Sequence, residues 1–99
     1  MKNLKNILYK VSIESVVGST DRHVATLQYD SRKIKQDDVF VAIKGGVFDG
    51  HTFISKAIGL GAVVIICQHL PEKLADSVTY IKVVNTGKAL AVMASNYFE

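Results

Sequence analysis

Apolar positions follow two rhythms along this chain. Val39-Phe40-Val41-Ala42-Ile43 and Ala62-Val63-Val64-Ile65-Ile66-Cys67 are unbroken apolar runs, the pattern of strands covered on both faces, as in parallel sheets. Thr79 to Val84 is a third β-rich run. Val24 to Tyr29 alternates instead, with Ala25, Leu27 and Tyr29 on one side and Thr26 and Gln28 on the other, which predicts a strand with one wetter face. Elsewhere the spacing is helical. Phe53, Ala57 and Leu60, flanked by Ile54 and Ile58, predict a helix over 52–60 with Gly61 at its C′ position. Leu90, Met93, Ala94 and Tyr97 predict the inner face of a helix over 86–98, capped by Thr86. Leu4, Ile7 and Leu8 suit a short first helix, and Pro71 through Leu74 and Ala75 another. Residues 11–18 carry no clear period and stay unassigned.

The order is helix, strand, strand, helix, strand, helix, strand, helix. That alternation predicts a small α/β domain, in two or three layers, with a mostly parallel sheet flanked by helices. The 99 residues make one domain. No internal repeat or low-complexity linker interrupts it, and the chain ends at Tyr97-Phe98-Glu99 within a helical pattern, so a piece of a longer protein is expected.

Charge narrows the partners. The formal net charge is +3, and apart from Arg32, Lys33 and Lys35 the basic residues are dispersed. A nucleic-acid surface would show a basic stripe, so no nucleic-acid partner is expected and an anionic small ligand is favoured. No apolar stretch reaches membrane-spanning length and the basic N-terminus has no apolar core of a signal peptide. A cytoplasmic protein with no membrane partner is expected. The single cysteine, Cys67, lies inside an apolar run and reads as a buried thiol in a reducing compartment.

Chemistry concentrates in two loops that follow predicted strands. Gly45-Gly46-Val47-Phe48-Asp49-Gly50-His51-Thr52 has the glycine spacing of a phosphate-binding loop, but His51 stands where that loop requires lysine, and Asp49 adds a negative charge. The alternatives are a plain glycine-rich turn or a backbone cradle for an anion. Asp30-Ser31-Arg32-Lys33 reads either as turn chemistry or as a ligand site at the carboxyl end of a strand. If the two preceding strands are parallel neighbours, both loops meet at one rim; if Tyr29 and Ser31 remain extended, they point to the same side. His23, His51 and His69 lack metal-ligand spacing, and Thr86-Gly87-Lys88 is too short for a phosphate loop. Tyr9, Tyr80 and Phe98 are expected to pack. No catalytic residue and no metal ligand is expected.

Tyr29-Asp30-Ser31-Arg32, Val39 to Gly45, Phe48-Asp49-Gly50-His51-Thr52-Phe53-Ile54, Ala57-Ile58 and Gly61-Ala62-Val63-Val64 together resemble the opening domain of Mur ligases over essentially the whole chain. Asp30-Ser31-Arg32 and Asp49-Gly50-His51 look more like the MurE type than the MurF type, where threonine often replaces the serine. The resemblance implies the domain that holds the uridine diphosphate end of UDP-N-acetylmuramoyl-L-alanyl-D-glutamate, in a ligase that adds diaminopimelate or lysine using ATP and magnesium. It implies central and C-terminal domains absent from this chain, no cofactor within it, and no catalysis by it alone. Carried over by position, it implies UDP contacts at Tyr29, Ser31, Gly46, Val47 and Phe48, supported by Asp30, Arg32, Asp49, Gly50 and His51. Three positions depart from the family pattern. Asp37 stands at a usual glycine, Tyr29 at a smaller apolar residue, and residues 46–48 lack polar side chains. The competing readings are a MurF-type domain, a stand-alone nucleotide- or anion-binding module, and a small phosphate-handling enzyme built on loop 45–52.

Overall fold

The computed structural model describes residues 1–98. Strand β1 (Lys2–Asn3) leads into helix α1 (Leu4–Ile7), followed by β2 (Ser15–Val17), β3 (His23–Val24), β4 (Leu27–Gln28) and β5 (Val39–Val41). Helix α2 (Ile54–Gly59), β6 (Val64–Cys67), β7 (Thr79–Lys82) and α3 (Thr86–Phe98) complete the chain. The main sheet has the order β2-β7-β6-β5-β4. Its last four members run parallel and β2 is antiparallel at the edge.

Alternation along the central strands divides the core into two halves, because successive side chains point to opposite faces. Val39, Val41, Val64, Ile66, Ile81 and Val83 face Leu4, Ile7, Ala89 and Met93 of α1 and α3. Phe40, Ala42, Ile65, Cys67 and Tyr80 face Ile34, Ile54 and Ala57 on the α2 side. The domain is therefore three-layered, the larger of the two expected forms. Cys67 is fully buried, and burial pushes its thiol up to about 11, so it packs rather than reacts. Among the described residues, no helix is long and apolar enough to cross a membrane.

Several local expectations change. The run 24–29 is not one strand. Val24 pairs with Lys2 in a separate two-stranded ladder, while Leu27 and Gln28 pair with β5. Strand β2 lies in the unassigned stretch, its three residues all exposed, so no burial rhythm marks it. Residues 71–78 form turns, not a helix; Leu70 and Leu74 stay exposed, and without a face to bury, so short a helix does not repay its nucleation. Asn85, not Thr86, caps α3, its side chain accepting from the Lys88 amide at 3.0 Å. Thr86 is buried, and its amide and hydroxyl both donate to Gln68 Oε1. Tyr80 packs as expected, but Tyr9 and Phe98 are exposed.

Helix α2 ends as its sequence predicts. The Gly61 amide donates to the Ile58 carbonyl and the Ala62 amide to the Ala57 carbonyl, with Gly61 at φ +117°, a Schellman closure. Asp37, at the family's usual glycine, keeps a left-handed φ of +70°. Aspartate tolerates that conformation better than most residues, so it can serve where a glycine would.

Candidate functional site

Strands β4 and β5 are parallel neighbours, so the loops leaving their carboxyl ends open onto the same rim. Between those loops lies a groove of about 520 Å³, lined by Tyr29, Asp30, Ser31, Arg32, Phe40, Ile43, Gly45, Phe48, Gly50, Phe53 and Lys56. Strand ends of this kind are where open α/β sheets place ligands.

The first loop turns at once into a single 3-10 turn, Ser31–Lys33. Tyr29 and Ser31 therefore do not continue an extended run: Tyr29 projects into solvent and Ser31 is buried, yet both line the groove. Asp30 makes the turn. Its carboxylate accepts from the Arg32 amide at 3.0 Å and holds the Arg32 guanidinium through two contacts, at 3.0 and 2.9 Å. These Arg32 bonds lower the Asp30 carboxyl to about 2. A depressed carboxylate stabilises the fold above its unfolded value of about 3.9 and loses that contribution as pH falls toward its folded value. Here the pair is exposed and the contribution small.

The second loop folds back on itself. Lys44 bridges Asp49 in antiparallel fashion and the Gly45 amide donates to the Phe48 carbonyl at 2.8 Å. Gly50 passes so close to the end of β5 that a Cβ there would lie 2.7 Å from the Ile43 nitrogen. Asp49 then caps a 3-10 turn, Gly50–Phe53, by accepting from the His51 amide at 3.0 Å. The His51 ring spans two elements. Its Nδ1 meets Asp49 Oδ1 at 2.6 Å, and its Nε2 accepts the Gln68 amide at 2.8 Å. Because Nε2 must accept, the ring proton belongs on Nδ1, donating to Asp49. The Asp49 carboxyl is lowered, first by the His51 backbone bond and then by the His51 ring.

This arrangement explains Asp49-Gly50-His51 without a triphosphate. Both nitrogens of His51 are engaged, and the residue ties the groove loop to the end of β6 instead of facing a phosphate. The ring does not line the groove; its place is behind it.

Of the residues implied to contact UDP, Tyr29, Ser31 and Phe48 share the groove, as do Asp30, Arg32 and Gly50 of the supporting set. Gly46 and Val47 do not line it. Val47 is 91% exposed, and a Cβ on Gly46 would meet nothing within 4 Å, so both lie at the outer tip of the loop. Phe40, Ile43, Phe53 and Lys56 also line the groove, although the sequence assigned none of them to a ligand. Phe40 and Ile43 sit in a run that reads as core, while Phe53 and Lys56 share a helical face by their spacing of three.

The family model for the Mur ligase family, catalytic domain, matches residues 23–98. The chain is 44% identical over 95 residues to the UDP-N-acetylmuramoyl-L-alanyl-D-glutamate--2,6-diaminopimelate ligase of Clostridium perfringens, covering 96% of this chain and 19% of that protein. The ligase of the same name from Cytophaga hutchinsonii is 41% identical over 98 residues, covering 97% of this chain and 20% of that protein. The chain thus spans about a fifth of the length of these relatives. Among solved structures, MurF from Acinetobacter baumannii superposes with a TM-score of 0.64 at 26% identity, over 74% of this chain and 15% of that one. The resemblance seen in the motifs, the three-layer fold built on a mostly parallel sheet and the match over residues 23–98 agree: this chain belongs to the Mur ligase family.

Proposed function

We propose that this chain is the substrate-anchoring domain of a cytoplasmic MurE-type ligase, and that its groove holds the uridine diphosphate end of UDP-N-acetylmuramoyl-L-alanyl-D-glutamate. The observation that carries the reading is the shared groove. Two loops leaving adjacent parallel strands bring Tyr29, Ser31 and Phe48 to one apolar cleft, and Lys56, which lines the same cleft, can offset phosphate charge. Among the described residues the Ser31 hydroxyl makes no hydrogen bond within the chain, which leaves it for a ligand.

The MurE type is favoured over MurF because curated relatives at 34–44% identity, over 94–97% of this chain, carry the diaminopimelate ligase name, whereas MurF structures match at 26–35% over 70–74% of it. Ligation would use ATP and magnesium in the central and C-terminal domains that the relatives' length leaves room for. The residues here do not suit ATP, since His51 is committed to Asp49 and Gln68, and no step of the ligation is assigned to this chain. The groove's apolar walls also speak against a phosphate-handling enzyme built on loop 45–52.

Ser31→Ala in the complete ligase tests the reading. The uridine end lies away from the carboxylate being activated, so its contacts are the same in ground and transition states. Losing uniform binding raises KM and spares kcat. One neutral hydrogen bond corresponds to about a 2- to 10-fold rise in KM for the nucleotide substrate. An unchanged KM with a lowered melting temperature would make Ser31 a turn residue only.

A further inference from the structure

Of the four tyrosines and four phenylalanines in the sequence, Tyr29, Phe40, Phe48 and Phe53 line this one groove. Phe40 is buried in the core, with Phe53 packed against the same cluster. Tyr29 and Phe48 are not packed: they are 64% and 73% exposed. Among the described residues, the rings that meet face or edge are His51 with His69 and Tyr97 with Phe98; Tyr29 and Phe48 have no ring partner. One stands on each loop bounding the groove. Large aromatic faces left in water at a cleft mark surface that a ligand covers.

Charge narrows the ligand further. Arg32 is already bound to Asp30, while Lys56 forms no ion pair among the described residues. An apolar cleft alone would accept any greasy molecule. Two exposed rings and a lysine outside any ion pair, all lining one groove, select a flat heteroaromatic ring that carries an anion.

We infer that Tyr29 and Phe48 are specificity-determining residues that grip the pyrimidine ring by stacking. This rests on the nucleotide reading above and adds to it how the base is held. Stacking requires a planar π-system, so the groove discriminates by ring planarity.

The test uses this chain with UMP and with 5,6-dihydro-UMP, which keeps the phosphate and the hydrogen-bonding edge but loses the planar ring. The uracil H5 and H6 resonances of UMP are expected to move upfield on binding, as protons held over an aromatic face do, and dihydro-UMP is expected to bind more weakly. Tyr29→Leu and Phe48→Leu should each raise the Kd for UMP about 5-fold or more and reduce the upfield shift. Tyr29→Phe should keep both. Both side chains are largely exposed, so melting temperatures should stay near that of the parent chain. UMP binding in the groove with affinity and H5/H6 shifts unchanged in both leucine variants would overturn the stacking inference and leave the nucleotide reading standing. No groove resonance responding to UMP in the parent chain would overturn both.

Discussion

Gly61→Ala is expected to be among the most damaging single-methyl changes in the domain. Gly61 closes α2 at φ +117°, a conformation that side-chain-bearing residues rarely adopt, and an alanine Cβ would lie 2.7 Å from the Gln36 Cα and 3.0 Å from its nitrogen. The obstacle is backbone, which cannot swing aside. That backbone is itself held, because the Asp37 amide donates to the Gly61 carbonyl at 2.9 Å. Backbone strain of about 1–3 kcal/mol adds to overpacking of about 1–3 kcal/mol. For a domain of this size each kcal/mol lowers the melting temperature by roughly 4–8 °C. Gly61 precedes β6, at the end of the sheet away from the groove, so nucleotide affinity of the folded variant should be unchanged. A melting temperature lowered by less than about 4 °C, the shift expected for 1 kcal/mol, would show that the loop before β5 yields easily.

His51→Ala should cost stability and binding together. The variant leaves the Gln68 amide without its acceptor and Asp49 without the ring it meets at 2.6 Å. An unsatisfied, partly buried donor costs about 1–3 kcal/mol. The same loss frees loop 44–49 from the end of β6, so Phe48 and Gly45 no longer hold their side of the groove, and UMP affinity should fall as well. Two conservative variants separate the contacts. A glutamine amide reaches the place of Nε2 and an asparagine amide the place of Nδ1, so His51→Gln should retain more stability than His51→Asn if the Gln68 bond dominates. Equal melting temperatures for alanine, asparagine and glutamine at this position would contradict the tie between loop and strand.

Elements with strong burial were legible in the sequence. Val39–Val41, Val64–Cys67 and Thr79–Lys82 are nearly all buried, and their apolar runs say so; α3 shows its inner face by spacing, and Gly61 marks the end of α2. Elements without burial were not. Ser15–Val17 pairs by backbone at an exposed edge, and hydrogen bonds to a neighbouring strand leave no trace in side-chain periodicity. Val24 and Leu27 belong to different ladders, a change of partner that an even alternation of residues conceals. The groove was legible through Tyr29, Ser31 and Phe48 because they sit at positions that the resemblance assigns to the ligand. Phe40 and Phe53 were hidden because an aromatic ring on a core strand or an apolar helix face reads the same whether its far side meets protein or a cleft. His51 had a motif but no visible reason, since its partner Gln68 lies seventeen residues away.

Amide-resolved titration of this chain with UDP tests the central claim most directly. Saturable shifts are expected at Tyr29, Ser31, Gly45, Phe48 and Gly50, the residues that two adjacent strand ends bring to one groove. Shifts gathered instead at the separate groove lined by Lys10, Ser12, Asn85 and Lys88, or no shifts at millimolar UDP, would contradict it.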